Sequence, residues 1–434
     1  MGKYTKQGQF DDFIQNQLDI VVAEIKKAIP EVISIVLMGG YGRGEGAVKI
    51  KEDGQPQLIN DFDIYIITER YIPDDFLEKL ALRCSKLLGK GGIAHPEAFE
   101  DQYNLERFFH IDIRCLVRKR LKNLLPTIRY YEMKHNSTVL WGENILKEFP
   151  AIKIEDIPKS EALRIIMNRM MLLLMAFKPE FLQKKMNNDE KQITFYYIAK
   201  SYLTIVESLL LFTHNYQPTY SQRTEVFNQI FSQTFPSLAR QLPDLVEKVN
   251  FYTKFKFQPQ KIDDDPIVNW HKCRQSLEIV FYYCLEIFFG KKLPTRWVLL
   301  VEELKSNLAK KYFNSYINYI LKKYRLNNLL LEKLGVFAVQ IFMSFKYFWL
   351  LKKDLGKFYW PALSLKDPGI KILYILPLIL YAIEIDGQQN QKMLSLAVQE
   401  LKNLYPIDQN QLDWSIVKSI WLKAYRLYYL QRFV

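Results

Sequence analysis

The chain is poor in the residues that build metal-bound or oxidised scaffolds. It carries four cysteines in 434 residues, Cys84, Cys115, Cys273 and Cys284. None forms a CxxC pair, so neither a zinc site nor a disulfide framework is expected, and a reducing, cytoplasmic setting is. There are five histidines, and none directly precedes an aspartate. The opening MGKYTKQGQFDDF has no apolar stretch, so it is not expected to act as a secretory signal. Long apolar runs are scarce as well. The run 335–351 is interrupted by Gln340 and Lys346, and 372–385 is short and holds Pro377. A membrane span needs roughly 20 apolar residues. Both runs are therefore expected as buried helices, with no membrane span. No internal repeat or low-complexity tract is evident.

What is present is a globular composition, 49% hydrophobic and 25% charged, with 14% aromatic residues. At roughly 100–200 residues per domain the length implies two or three domains. The net charge of +13 is unevenly placed: residues 291–434 hold 22 Lys and Arg against 10 Asp and Glu, a net of +12. Such a segment suits an anionic partner, or is simply a solvated, lysine-rich helical surface. Its aromatics, among them Tyr312, Tyr316, Tyr319, Tyr324, Phe345, Tyr347, Phe348 and Trp349, are placed to stack on bases or, at helical spacing, to fill a core.

Along the chain, residues 10–29 show apolar positions at helical spacing and stop at Pro30. VISIVLM at 32–38 is β-branched and apolar throughout, the pattern of a strand buried on both faces. It runs into GGYGRGEG at 39–46. Residues 49–58 are polar around Asp53-Gly54 and read as a loop or hairpin. DFDIYIIT at 61–68 is a second strand. Residues 73–92 form a helix with Pro near its start and glycines after its end. RFFHIDIRCLVR at 107–118 is a third strand whose polar face carries His110, Asp112 and Arg114. From about 159 onward the pattern is helical, with a polar break at 257–266.

The chemistry resides in the first third. A glycine turn at the end of a buried strand lets backbone N–H groups approach phosphate oxygens closely. Residues two apart on a strand point the same way, so Asp61 and Asp63 project together. Asp112 joins them if its strand is a neighbour. Three carboxylates in one place repel unless a divalent cation sits among them. Paired Mg²⁺ or Mn²⁺ ions in such a site activate a hydroxyl and stabilise a leaving pyrophosphate.

Gly39-Gly40, then Asp61-Phe62-Asp63-Ile64, then Ile111-Asp112-Ile113 resembles the DNA polymerase β-like nucleotidyltransferase superfamily over roughly residues 31–118. The loop GGYGRGE is most similar to that of the PII uridylyltransferases. The resemblance implies an α/β nucleotidyltransferase core, a mixed sheet flanked by helices, followed by all-α domains. It implies that Gly39, Gly40, Tyr41 and Arg43 hold an NTP such as ATP, that Asp61, Asp63 and Asp112 hold the metal, and that Asp112 activates the acceptor. Helical domains after such a core often supply a lysine to the triphosphate, and Lys200 fits that role or is a lysine snorkelling from a helix surface. Arg129 and His135 match the Arg-x5-His spacing of HEPN ribonucleases, while their segment is similar to the connector after the core. The separation of Gly40 from Asp61 is longer than the family's, through the polar insertion at 47–60. No histidine-aspartate pair is present, which excludes a complete bifunctional PII-modifying enzyme. The expected organisation is a catalytic domain over 1–150, a helical bundle over 151–262 and a basic, aromatic-rich helical domain over 263–434. The expected activity is transfer of a nucleoside monophosphate to a hydroxyl of a protein, small molecule or RNA. The alternative is a catalytically silent nucleotide-binding regulatory or antitoxin-like module.

Overall fold

The computed structural model describes residues 2–51, 53–92, 107–326, 328–364, 366–407 and 412–428. They divide into two compact units, Met1–Ile157 with Met186–Asp264, and Pro158–Lys185 with Asp265–Val434.

The first unit opens with α1 (Asp11–Ala28), whose inward face is Ile14, Leu18, Val21 and Ile25. β1 (Ser34–Met38) follows, buried at every position, and passes into the four-residue turn α2 (Gly39–Gly42). β2 (Val48–Ile50) and β3 (Pro56–Leu58) form the hairpin expected around Asp53-Gly54. β4 (Phe62–Thr68), α3 (Asp74–Leu87) and β5 (Ile111–Val117) form a parallel crossover unit. α4 (Ile128–His135) and β6 (Thr138–Gly142) come next.

The sheet order is β5-β4-β1-β6. β1 runs antiparallel to both its neighbours, and β4 runs parallel to β5. Strand alternation sends Ile35, Leu37, Ile64, Ile66, Ile111 and Ile113 to the face covered by α1 and α3. Val36, Met38, Tyr65 and Ile67 go to the other face, against Leu121, Met133, Ile145 and Phe149. Each such residue contributes about 1.5–3 kcal/mol when fully buried, so register is strongly fixed. The sheet is thus mixed and flanked by helices, the architecture that the glycine and aspartate motifs imply.

The chain then leaves for the second unit through α5 (Ser160–Ala176) and returns with α6 (Asn188–Phe212), α7 (Tyr220–Thr234), α8 (Pro236–Gln241) and α9 (Leu245–Phe257). α6 begins on a capping box between Asn187 and Glu190, each side chain accepting the other's backbone N–H at 2.9 Å. It is buried almost all round and packs on α7 and α9.

The second unit is helical: α5, α10 (Pro266–Phe289), α11 (Trp297–Lys323), α12 (Leu329–Leu355), α13 (Pro368–Leu380), α14 (Gln391–Leu401) and α15 (Trp414–Tyr428). α13 is its central helix, with Ile372–Leu380 buried at every position. Buried indoles satisfy their N–H groups on backbone carbonyls: Trp270 on Leu173 (2.9 Å), Trp414 on Ile379 (2.8 Å) and Trp421 on Ile372 (3.0 Å).

One expectation is corrected here. The run 372–385 is buried through Ile383, though its helix ends at Leu380 and Glu384 and Ile385 are exposed; 335–351, within α12, is not a buried helix. Val336, Ser344, Tyr347, Phe348 and Leu351 face inward, while Leu334, Phe337, Phe342, Phe345 and Trp349 are exposed. Hydropathy counts apolar residues without regard to side, and this helix is apolar on both. The aromatics split in the same way: Tyr312, Tyr347 and Phe348 are core, and Tyr324, Phe345 and Trp349 are not.

Candidate active site

The site lies in the first unit, where β1 meets α2 and where β4 and β5 begin. Asp63 and Asp112 are partners in the parallel register, side by side on the face opposite α1 and α3. Asp61 precedes β4 by one residue and shares the parity of Asp63. Asp63 also lies opposite Met38, the last residue of β1. The glycine that follows therefore faces its carboxylate: a Cβ on Gly39 would overlap Asp63 Oδ2. Gly39 has φ +65° as well, so both backbone conformation and space require glycine there. At Gly40 a Cβ would stand 3.4 Å from Asn60 and from the Glu45 carbonyl, which is ordinary contact.

Electrostatics separate the acids. Burial, and then the charges of Asp61 and Asp112, push Asp63 up to about 7. Burial also pulls Asp61 upward, but Lys200 and then His110 and Lys256 hold it below the ordinary aspartate value. Lys200, from α6, thus lies within the electrostatic field of the aspartates, and its ammonium sits 4.7 Å from the Tyr196 ring centroid. Asp112 accepts from Arg114 Nε at 3.0 Å.

Among the described residues no group of three or more His, Cys, Asp or Glu side chains is already gathered as a metal site. The chemistry of the donors nevertheless fits a hard divalent cation. Carboxylate oxygens are its preferred ligands, and the mutual repulsion that raises Asp63 is what a cation relieves.

The other residues of the glycine segment have engagements of their own. Tyr41 is fully buried, its hydroxyl donating to the Ala47 carbonyl at 2.7 Å and its ring packed edge-on against Phe62. Its side chain belongs to the core, so what it can offer a ligand is backbone. Arg43 is buried and donates to Glu132 at 2.9 Å, with Glu45 3.9 Å from its Nε and the Tyr220 ring 4.9 Å away. Glu45 is fully buried at the start of α7, where it accepts from the backbone of Tyr220 (2.8 Å) and Ser221 (3.0 Å) and from the Ser221 hydroxyl (2.9 Å). A carboxylate at a helix N-terminus satisfies orphan N–H groups and meets the positive end of the dipole. Burial opposes its charge, but Arg43 and those N–H groups hold Glu45 below the ordinary range.

Several residues around the site carry no signal in the sequence. Arg223, buried on α7, bridges Glu132 and Glu207, and the Tyr216 hydroxyl donates to Glu132 at 2.6 Å. Lys256, on α9, is 2% exposed and donates to Asn60 Oδ1 at 3.2 Å. Burial, and then Lys200 and Arg43, push Lys256 down to about 7. Asn60 also accepts from Ala47 N–H at 2.7 Å and donates to the Tyr196 hydroxyl, so it anchors the insertion immediately before Asp61. Arg223 and Lys256 come from helices distant in sequence, and only folding shows their company. Arg129 donates to the Tyr65 hydroxyl at 2.9 Å, and His135 packs 4.6 Å from the Tyr131 ring.

No family model matches the chain, and no curated protein matches it. Among solved structures the chain is similar to a spectinomycin adenyltransferase from Enterococcus faecialis, solved with ATP and spectinomycin. The identity is 13% and the TM-score 0.34, over 61% of this chain and 98% of that one. A likeness of that degree carries no argument about chemistry.

Proposed function

We propose that the first unit is a nucleotidyltransferase that moves a nucleoside monophosphate from an NTP to a hydroxyl acceptor. The carrying observation is the placement of Asp63 beside Asp112, with Gly39 leaving room for the Asp63 carboxylate at the end of β1. Carboxylates are costly in apolar strands, and a hard divalent cation would offset that cost. Asp61, Asp63 and Asp112 would hold Mg²⁺ or Mn²⁺. Bound there, the cation neutralises charge on the phosphates and acidifies an attacking hydroxyl.

The backbone at Gly39 and Gly40 receives the triphosphate, and Lys200 neutralises it from α6. Asp112 takes the proton of the acceptor hydroxyl. The acceptor oxygen forms a bond to the α-phosphorus, the bond from that phosphorus to the bridging oxygen breaks, and pyrophosphate leaves with the electron pair. Arg43 reaches the nucleotide only by giving up its pairing with Glu132.

One observation favours the silent, nucleotide-binding alternative: Asp112 is already paired with Arg114 at 3.0 Å. The two readings differ in pyrophosphate release. The full chain is incubated with each α-labelled NTP and Mg²⁺ or Mn²⁺, with protein, RNA and small-molecule acceptors. UTP is tried first because of the likeness of the GGYGRGE loop. Transfer of label with pyrophosphate release, lost in Asp63→Asn, supports the enzyme. NTP binding without release, under every acceptor, supports the silent module.

A further inference from the structure

We infer that α12 of the second unit is a membrane-surface helix, which lays its outer face into the headgroup layer of an anionic bilayer. Leu331, Leu334, Ala338, Phe342, Phe345 and Trp349 are spaced three or four residues apart. They therefore form one stripe along the helix, and all six are exposed. Phe342 is 66% and Trp349 58% exposed. An apolar stripe of this length in water is unusual for a soluble surface and marks a docking face.

The opposite side is occupied. Val336, Ser344, Tyr347, Phe348 and Leu351 are buried, against neighbours that include α11, α13 and α15. A helix of 27 residues is about 40 Å long at 1.5 Å per residue, enough to cross a bilayer. With one face packed on its own protein it cannot be surrounded by lipid. It can lie in the plane of the interface, its apolar side buried roughly 5–10 Å deep.

The charge around the stripe selects the occupant. Residues 304–353 contain ten Lys and Arg and a single acid, Glu332. Lys322, Lys323 and Arg325 are exposed just before the helix, and Lys353 and Lys357 at its far end. There Lys352 extends over the rings of Phe358 (4.2 Å) and Trp349 (5.1 Å), and Trp360 adds another exposed aromatic. Aromatic rings beside lysines at both ends of an apolar face is the pattern of a headgroup-level anchor. Cations there are attracted to an anionic leaflet. A second copy docked on the same stripe would bring like charges together.

The test uses the full chain and sedimentation with vesicles of phosphatidylcholine, alone or mixed with phosphatidylserine. Binding to the anionic vesicles should exceed binding to the neutral ones by at least about tenfold and fall with salt. Phe342→Ser, Phe345→Ser, Trp349→Ser, a triple variant that changes only exposed positions, should lose about tenfold or more of that binding while melting as the parent does. Lys322→Gln, Lys323→Gln, Arg325→Gln should bind more weakly to anionic vesicles and be unchanged toward neutral ones. Equal vesicle binding by the parent and the apolar triple variant overturns the inference, since charge alone would then explain it. So does a parent that binds neither vesicle. If light scattering finds a dimer of such a parent that the apolar variant breaks, the stripe's occupant is a second copy. If it stays monomeric, a protein partner is the remaining occupant.

Discussion

In the first unit Glu45, Arg223 and Lys256 are shut away from water, and each is provided with partners. In the second, Leu334, Phe342 and Trp349 stand in water, and the surrounding lysines remain solvated. The two regions thus depart from the ordinary rule in opposite directions, one hiding charge and the other showing apolar surface. Buried ion pairs gain little net stability over apolar residues of equal volume. A fold that joins Arg43 and Glu45 of the glycine segment to α4 and α7 through such pairs uses them to fix positions. Exposed apolar side chains contribute little to folding either. In both regions the departure gains the fold little stability, which points to function as its reason.

The largest effect expected is from breaking the buried network. Arg223→Ala leaves Glu207 buried without its cation and Glu132 with Arg43 alone, and should cost about 3–5 kcal/mol in urea unfolding. Removing all three charges together, as Arg223→Met, Glu132→Gln, Glu207→Gln, should recover part of the loss. If Arg223→Ala melts like the parent, the network is not holding α4 to α7.

Next comes the site. Asp63→Asn should lower nucleotide transfer on the order of 10²–10³-fold without lowering the melting temperature, because it removes a crowded charge. A clear loss of stability would mean that the carboxylate is a structural group. The neighbouring glycines sharpen the same point. Gly39→Ala should cost about 1–2 kcal/mol from its left-handed backbone alone, with loss of transfer as Asp63 is displaced. Gly40→Ala should be near neutral for folding. Equal melting of the two variants would contradict the close approach seen at Gly39 and not at Gly40.

The motifs of this site were legible because they are local. β-branched runs gave β1, β4 and β5, a one-residue step in alternation put Asp112 on a polar face, and Asp61-x-Asp63 followed from the two-residue period. Lys200 stood out as a cation in an apolar helix. What could not be read was company. Lys256 and Asn60 lie 196 positions apart, and nothing in either segment announces the other. β6 was missed because Thr138–Gly142 is short, half-exposed along its length and enclosed by turn residues, so its pattern resembles a connector. The exposed side of α12 was missed for a related reason: its composition is that of a core helix, and only packing decides which face finds a partner.

A smaller, pH-dependent effect tests the hidden charge in another way. Lys256 is pushed down to about 7 from an ordinary 10.5. Below about 7 the folded and unfolded chains both carry the proton, and the full penalty of burying the ammonium applies. Above that value the folded chain releases its proton while the unfolded chain still binds one, so stability rises with pH until the unfolded lysine titrates. The slope should approach roughly 1.3 kcal/mol per pH unit between about pH 8 and 9. In Lys256→Met the rise should be absent, and the variant should be the more stable of the two near neutrality. A parent whose unfolding midpoint does not change across that range would show that Lys256 stays charged in the fold.

The smallest effect is expected at Phe342 of α12, where position on the helix decides the outcome. Leu351 is fully buried and Phe342 is 66% exposed, on opposite sides of one helix. Leu351→Ala removes packed methyl groups and leaves a cavity, a change that costs about 2–5 kcal/mol. Phe342→Ser removes a larger side chain, yet little of its surface is withdrawn from water, so the cost should remain within about 0.5 kcal/mol. The expected order is therefore the reverse of side-chain size. Urea unfolding of the two variants, in dilute solution without lipid, measures it directly. A loss of more than about 1 kcal/mol for Phe342→Ser would mean that the stripe is covered in the free protein, and the contrast between the two regions would then collapse into one rule of burial.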